Sequence, residues 1–283
     1  MGSKLYTRGE RIFKWVSLVL LLVICVATLA PFVLILASSL TDETTLITYG
    51  YSFWPQKFSM DSYLYMWNQR KQIGRSYLTS LGITAVGTVV SLLFTTMLAY
   101  PMSRKDFKYS NQLSFFVFFT MLFNGGIVSS YIMWTQFFHI KNTYFALLLP
   151  NLLMNAMNIM LVRNYYKNSI PFELVEAAEI DGASKVKMFF SITVPQITPI
   201  IFFNLIMQTI QALQNFTSAF VITDGGPMKA TYVLGMKLYK EGFSYFKMGY
   251  ASAISWIIFI VIMLITLVLF ATSKWWVFYG DES

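Results

Sequence analysis

The stretch Glu176-Ala177-Ala178-Glu179-Ile180-Asp181-Gly182-Ala183-Ser184-Lys185-Val186-Lys187-Met188-Phe189-Phe190-Ser191-Ile192-Thr193-Val194-Pro195 is a polar island between long apolar segments. Pro171, just upstream, suits the first turn of a helix, where its missing N–H costs nothing. Glu173 and Glu176 then fall near the positive end of the helix dipole. Ala177 and Ala178 leave the backbone open to close approach by a partner. Gly182, after Asp181, is placed to end the helix in a left-handed conformation. A second segment, Ala183 to Ser191, leads through Met188, Phe189 and Phe190 to Pro195, which sets the start of the next apolar run. The pattern reads as a compact elbow outside the lipid, a handle through which a separate soluble engine moves membrane helices.

The rest of the composition agrees with a lipid solvent. Of 283 residues, 56% are hydrophobic and 12% charged, against about a quarter charged in an ordinary soluble domain. Mean hydropathy is +0.57. One cysteine, Cys25, excludes an internal disulfide framework, and with one histidine, His139, no metal-ligand cluster is expected. The formal charge of +8 fits basic residues that fix membrane orientation rather than a nucleic-acid partner.

Charge-free runs extend over Trp15–Thr41, Ser76–Ser103, Tyr109–Phe138, Asn142–Val162, Met188–Thr223 and Met248–Ser273. Each exceeds the roughly 20 residues a helix needs to cross hydrocarbon. The expected fold is all-α transmembrane, a single domain over 1–283, with six spans near 15–40, 77–103, 110–132, 144–163, 197–222 and 249–273 and a coupling loop over 165–195. The first run is too long for a secretory signal and is read as a retained helix. Twelve basic residues fall on one side and nine on the other when the N-terminus is placed inside. The dense Arg104-Lys105-Lys108 group favours both termini in the cytoplasm. Between the first two spans, Ser59 is expected to cap a short interfacial helix carrying Tyr63, Tyr65, Met66 and Trp67. After the fifth span, Asp224-Gly225-Gly226-Pro227 is a turn signal, followed by Tyr232, Tyr239, Phe243, Tyr245 and Phe246 as interface anchors.

With the spacing in view, Glu176-Ala177-Ala178, Gly182 and Ile192-Thr193-Val194-Pro195 resemble the EAA loop of ABC importer permeases. Val194 departs mildly from that family's Ile-x-Leu-Pro ending. The resemblance implies a six-helix permease fold whose loop is a coupling helix docking on an ATPase subunit, with Glu173, Glu176, Ala177, Ala178, Asp181, Gly182, Ile192 and Pro195 as its coupling residues. Leu98-Ala99-Tyr100-Pro101-Met102-Ser103-Arg104, Ile170-Pro171-Phe172-Glu173-Leu174 and Ile180-Asp181-Gly182-Ala183-Ser184 are similar to carbohydrate permeases. Phe123-Asn124-Gly125-Gly126 is similar to permeases for complex oligosaccharides, whereas Thr223-Asp224-Gly225-Gly226-Pro227 with Thr231 looks like the maltose-type partner class. Which half of a permease heterodimer this chain is stays open.

Within the spans, Asn204, Gln208, Gln211 and Asn215 recur on one helix face, and Asn151, Asn155 and Asn158 make a similar stripe. Neutral amides bond sugar hydroxyls without the desolvation cost of a full charge, and Phe202, Phe216 and Trp256 offer apolar faces to sugar rings. The substrate path is therefore expected along Gln208, Gln211, Asn204, Asn215, Asn155, Asn158 and Trp256. The ordinary alternative is that these amides bond neighbouring helices.

No Gly-x-x-x-x-Gly-Lys-Ser/Thr occurs, so the chain carries no P-loop. No nucleophile–base arrangement marks an enzyme, and no catalytic or metal residue is expected. The resemblance implies a non-catalytic permease of a bacterial plasma-membrane importer for a carbohydrate, with an oligosaccharide the favoured cargo. Its partners would be a second permease chain, two ATPase subunits that bind ATP and Mg, and an extracytoplasmic solute-binding protein. Two rivals are an ABC permease for a peptide or osmolyte and an ATP-independent secondary transporter.

Overall fold

The computed structural model describes residues 8–104, 106–123, 125–150, 152–170, 177–178 and 180–278. Asn124, Asn151, Pro171, Glu173, Glu176 and Glu179 lie outside the described residues. The helices are α1 (Arg8–Ser39), α2 (Glu43–Tyr49), α3 (Asp61–Asn68), α4 (Arg70–Ser103), α5 (Ser110–Leu122), α6 (Gly126–Ile132) and α7 (Phe145–Leu148). They continue as α8 (Ala156–Ser169), α9 (Lys185–Met188), α10 (Val194–Gln196), α11 (Thr198–Gln214), α12 (Leu234–Tyr239) and α13 (Met248–Ser273). Four π-helical turns, Met133–Phe137, Phe189–Thr193, Ala219–Thr223 and Lys240–Ser244, extend the short helices.

Among the described residues, α1, α4 and α13 are long and apolar enough to cross a membrane alone. Two bent pairs, Ser110–Leu122 with Gly126–Phe137 and Phe189–Gln196 with Thr198–Thr223, raise the number to as many as five if each is one span. The fourth apolar run is divided instead between α7 and α8, separated at Pro150 and Asn155.

The chain divides into two compact units, Met1–Arg70 with Leu238–Phe259 and Lys71–Lys237 with Ile260–Ser283. In the first unit, the Glu43 carboxylate accepts hydrogen bonds from the Gly249 and Tyr250 amides at 3.1 and 3.4 Å. An anion therefore satisfies free N–H groups at the start of α13. Helix α3 begins after Met60 without a side-chain cap. Ser59 stands one residue too early and accepts from the Asp61 amide. The aromatics of α3 are tied inward: Tyr63 shares a hydrogen bond with Ser39, and Tyr65 meets the Tyr250 ring edge-on at 4.8 Å. Lys247 Nζ donates to the Tyr65 hydroxyl at 3.1 Å, a bond that holds its ammonium above the usual lysine range.

The second unit has two apolar centres. One gathers Ala99, Met102, Val117, Ile159, Val162, Tyr166 and Ile197, joining α4, α5, α8 and the bend before α11. The Met102 carbonyl, near the end of α4, accepts from Ser110 Oγ at 2.6 Å and Arg163 Nε at 3.1 Å. These bonds satisfy a carbonyl that the helix itself leaves free. The other centre gathers Leu147, Ala219, Tyr232, Val233 and Met236. Tyr232, expected as an interface anchor, is thus a core residue, whereas Phe243, Tyr245 and Phe246 are exposed.

A 59° bend separates Phe189–Gln196 from Thr198–Thr223, and the C-terminal segment is tied to it. The Phe278 amide donates to Thr198 Oγ1 at 2.8 Å, and that hydroxyl donates to the Pro195 carbonyl at 2.7 Å. Trp276 and Phe270 meet the Phe202 ring edge-on at 5.7 and 5.2 Å. Replacing Thr198 by valine keeps the shape and removes both hydrogen bonds. A loss of about 1–2 kcal/mol is expected from two such bonds, read as a lower unfolding midpoint of the purified protein in detergent.

Asp42 caps α2 through Thr45 N and accepts from the Thr44 and Thr45 hydroxyls. Its carboxyl is lowered from 3.8 to about 2, chiefly by the Thr44 hydrogen bond, with Lys57 adding attraction. Because the folded value lies below the unfolded one, the cap's contribution is complete above pH 3.8 and is lost as pH falls through about 2. Difference infrared titration against Asp42→Asn should place the carboxylate band's midpoint there, and Thr44→Val should raise it.

Candidate functional site

The elbow is built from local hydrogen bonds. Ala177, Ala178 and Ile180 are helical, and the turn closes with Asp181 N to Ala177 O and Ala183 N to Ala178 O, both 3.0 Å. Gly182 has φ +75°, and a Cβ built there would meet nothing within 4 Å. The requirement for glycine is therefore one of backbone conformation, not of space. Ser184 Oγ accepts from the Lys187 amide and starts the second segment. Ala177 is exposed, and Ile180 keeps 86% of its surface accessible. That is an apolar side chain presented from a polar loop.

Behind the elbow, the helix runs without interruption through α9, the π turn and α10 to the bend. Phe189 meets the Tyr100 ring of α4 edge-on at 5.2 Å, and Tyr100 meets Tyr166 of α8 at 5.6 Å. Thr193 and Ile197 are buried, with Ile192 and Pro195 half-buried. The segment after the elbow is thus packed through aromatic rings on α4 and α8 and joined by continuous helix to the bend before α11.

The amides separate into two sets. Asn204, Gln208 and Gln211 lie on α11, with the first two buried and Gln211 exposed. Asn215 lies just past the helix as its C-cap, in extended conformation, so the four-residue face expected from spacing ends one residue early. Asn155 is the N-cap of α8: its Oδ1 accepts from the Met157 and Asn158 amides at 2.9 and 3.2 Å. That role was hidden in an apolar run, although Asn is a favoured capping residue. Asn158 is buried, and Asn204 Nδ2 donates to the Ile200 carbonyl at 2.9 Å. Phe202 is occupied by Phe270 and Trp276 rather than offered to a ligand. Trp256 packs edge-on against Phe259 at 5.4 Å within the first unit.

Two features escaped the sequence reading. The buried face of α4 is a ladder of hydroxyls, Ser76, Ser80, Thr84, Thr88, Ser91 and Thr95. Its recurrence at three and four residues is a helix-face signal that attention to amides alone passed over. The second is a cavity of about 190 Å³ lined by Tyr131, Trp134, Pro150, Ser130, Thr217 and Ser218, among others. Aromatic and hydroxyl-bearing residues line it from segments far apart in sequence.

The loop after α11 is also a built structure. Thr231 Oγ1 donates toward Thr223 Oγ1 at 2.8 Å and lies 2.6 Å from the Gly226 carbonyl. Asp224 adopts φ +46° and the Gly226–Pro227 peptide is cis. Among the described residues, no group of three His, Cys, Asp or Glu side chains is placed to hold a metal ion.

Residues 86–277 match the family model for the binding-protein-dependent transport system inner membrane component, and the chain belongs to that family. It is 49% identical over 116 residues to the probable ABC transporter permease protein YesP of Bacillus subtilis (strain 168), covering 40% of this chain and 38% of YesP. It is 32% identical over 192 residues to the polygalacturonan/rhamnogalacturonan transport system permease protein YtcP of the same organism, covering 68% of this chain and 66% of YtcP. The chain thus spans less than two thirds of either relative's length. The fold matches a chain in the crystal structure of a bacterial ABC transporter involved in the import of the acidic polysaccharide alginate, with TM-score 0.75 and 24% identity. That match covers 96% of this chain and 99% of the other.

Asn155→Ala should remove the cap of α8 at a cost of about 1 kcal/mol. Hydrogen exchange should show the Met157 and Asn158 amides losing protection while α5 keeps its own.

Proposed function

We propose that the chain is a transmembrane permease subunit of an ATP-driven importer, moving a carbohydrate, with an oligosaccharide as the cargo, into the cytoplasm of a bacterium. It works with a second permease chain, two ATPase subunits that bind ATP and Mg, and an extracytoplasmic solute-binding protein. The observation that carries the mechanical half of this reading is the elbow. An exposed apolar residue and a left-handed glycine sit on a segment joined by continuous helix to the foot of α11. The ATPase groove receives Ala177, Ala178 and Ile180, and closure of the ATPases pushes the elbow. The bend at Pro195 to Thr198 passes that motion to α11, between discrete packed states. Both termini and the elbow face the cytoplasm in this reading.

The cargo half rests on the polar chemistry of the second unit. Tyr131 and Trp134 line the cavity with Ser130, Thr217 and Ser218, and Gln211, Asn155 and Asn215 reach the surface of that unit. Gln208, Asn204 and Asn158 are the buried amides of the same unit. The described lining residues of the 190 Å³ cavity are uncharged, which suits neutral, hydroxyl-rich units taken one at a time. That volume lies below the ~300–1,000 Å³ usual for a whole small-molecule site. The names of YtcP and of the alginate importer support a carbohydrate. The loop from Thr223 to Thr231, stiffened by its threonine pair, is the face offered to the binding protein.

Reconstitution in proteoliposomes with the co-purified subunits tests the reading. Uptake should require ATP, and uptake driven by an ion gradient without ATP would overturn it. Gly182→Val forces a β-branched residue into a left-handed conformation. It should abolish uptake by at least about tenfold, equivalent to 1.4 kcal/mol of lost coupling, while solute binding outside stays intact. Screening the cognate binding protein against neutral glycans, uronic-acid glycans and peptides decides the cargo class. Selective capture of peptides would overturn the sugar assignment and leave the coupling assignment standing.

A further inference from the structure

The inner polar seam of the second unit has a property that the transport reading does not use. Thr88 and Ser91 of α4 are 4% and 1% accessible, Asn158 of α8 is 4%, and Gln208 of α11 is 5%. The Thr88 and Ser91 hydroxyls, Asn158 Nδ2 and both polar atoms of the Gln208 amide make no hydrogen bond to protein atoms. All four residues line one small cavity of about 10 Å³, which Gly87, Leu152, the half-buried Asn155 and the exposed Gln211 also border. Gly87 brings α4 close: a Cβ there would lie 3.0 Å from Leu152 Cδ1.

Leaving such groups unpaired in a buried site costs about 1–3 kcal/mol each, and inside a membrane span no bulk water relieves them. The described lining is free of carboxylates and other charges, which argues against a cation needing several hard oxygen ligands. The volume is that of about one water, for which ~10–15 Å³ suffices, and it excludes a sugar ring. The donor–acceptor set is that of a water site. Two hydroxyls both donate and accept, Asn158 Nδ2 donates, and Gln208 contributes an acceptor and a donor. A buried water needs two to four such partners.

We propose that Thr88, Ser91, Asn158 and Gln208 form a buried water-binding site at the junction of α4, α8 and α11. The bridging molecule links three helices that have no direct side-chain bond there. A small slide of α11 along α4 then re-forms bonds to water instead of stranding an amide. This inference does not depend on which solute is carried.

The test is a cryo-electron microscopy map of the full-length chain with its co-purified subunits in lipid nanodiscs, sharp enough to show ordered waters. A peak within hydrogen-bonding distance of Ser91 Oγ and the Gln208 amide is the expected result. Direct bonds among the four side chains without such a peak would overturn the proposal, as would a peak with the short, six-fold oxygen coordination of a metal ion. X-ray hydroxyl-radical labelling supplies a second readout, because a bound water labels its immediate neighbours even where bulk solvent does not reach. Leu152 should be labelled in the wild type and lose that labelling in Thr88→Val/Ser91→Ala, with exposed Met154 as the internal control for intact assembly. Labelling of Leu152 that is absent from the wild type, or unchanged in the double variant, counts against the site.

Discussion

A hydrogen-bonding group inside hydrocarbon has no water to fall back on, and much of this molecule's internal arrangement follows from that. Asn155 turns its carboxamide to the open amides of α8, and the Met102 carbonyl takes Ser110 and Arg163 at once. Buried hydroxyls of α4 share the interior with the inward amides of α8 and α11 in place of a uniformly apolar core. The result in the second unit is a polar seam beside apolar centres.

The elbow and the bend rest on the same backbone economy. Gly182 permits a tight reversal without a side chain in the way, and the two short bonds at 3.0 Å close it. From Lys185 to Gln196 the helix is continuous. The bend that follows is held by Thr198, which receives one bond from the C-terminal segment and donates another to the Pro195 carbonyl. The angle is thus maintained by tertiary contacts as much as by proline itself.

Much of this was readable in the chain. Charge-free runs located the long apolar helices α1, α4 and α13, though not the division of the fourth run between α7 and α8, and Gly182 after Asp181 identified the turn, because a left-handed position selects glycine on local grounds. What was hidden depends on contacts distant in sequence. Spacing placed Asn215 on a helix face, yet the helix stops at Gln214, since caps are decided by the segment that follows. Tyr232 reads as an interfacial aromatic, but Leu147, far away along the chain, and Ala219 enclose it. Phe202 looked available to a sugar ring until Trp276 and Phe270 were found against it. The cavity beside Trp134 draws on three separate segments, which no local pattern displays.

One small contact in the first unit bears on how this sequence can drift. A Cβ added to Gly249 would come within 2.9 Å of Glu43 Oε2 and 3.1 Å of Ser62 Oγ. The carboxylate can reach the opening turn of α13 only because nothing projects from that position. A methyl group at position 249 would therefore push the Glu43 carboxylate, the far end of a flexible side chain, away from these amides. A shorter acid at 43, conversely, would leave the exposed amides waiting for a replacement. The two sites, more than 200 residues apart in the chain, are therefore coupled, because a side chain added at one displaces the carboxylate supplied by the other.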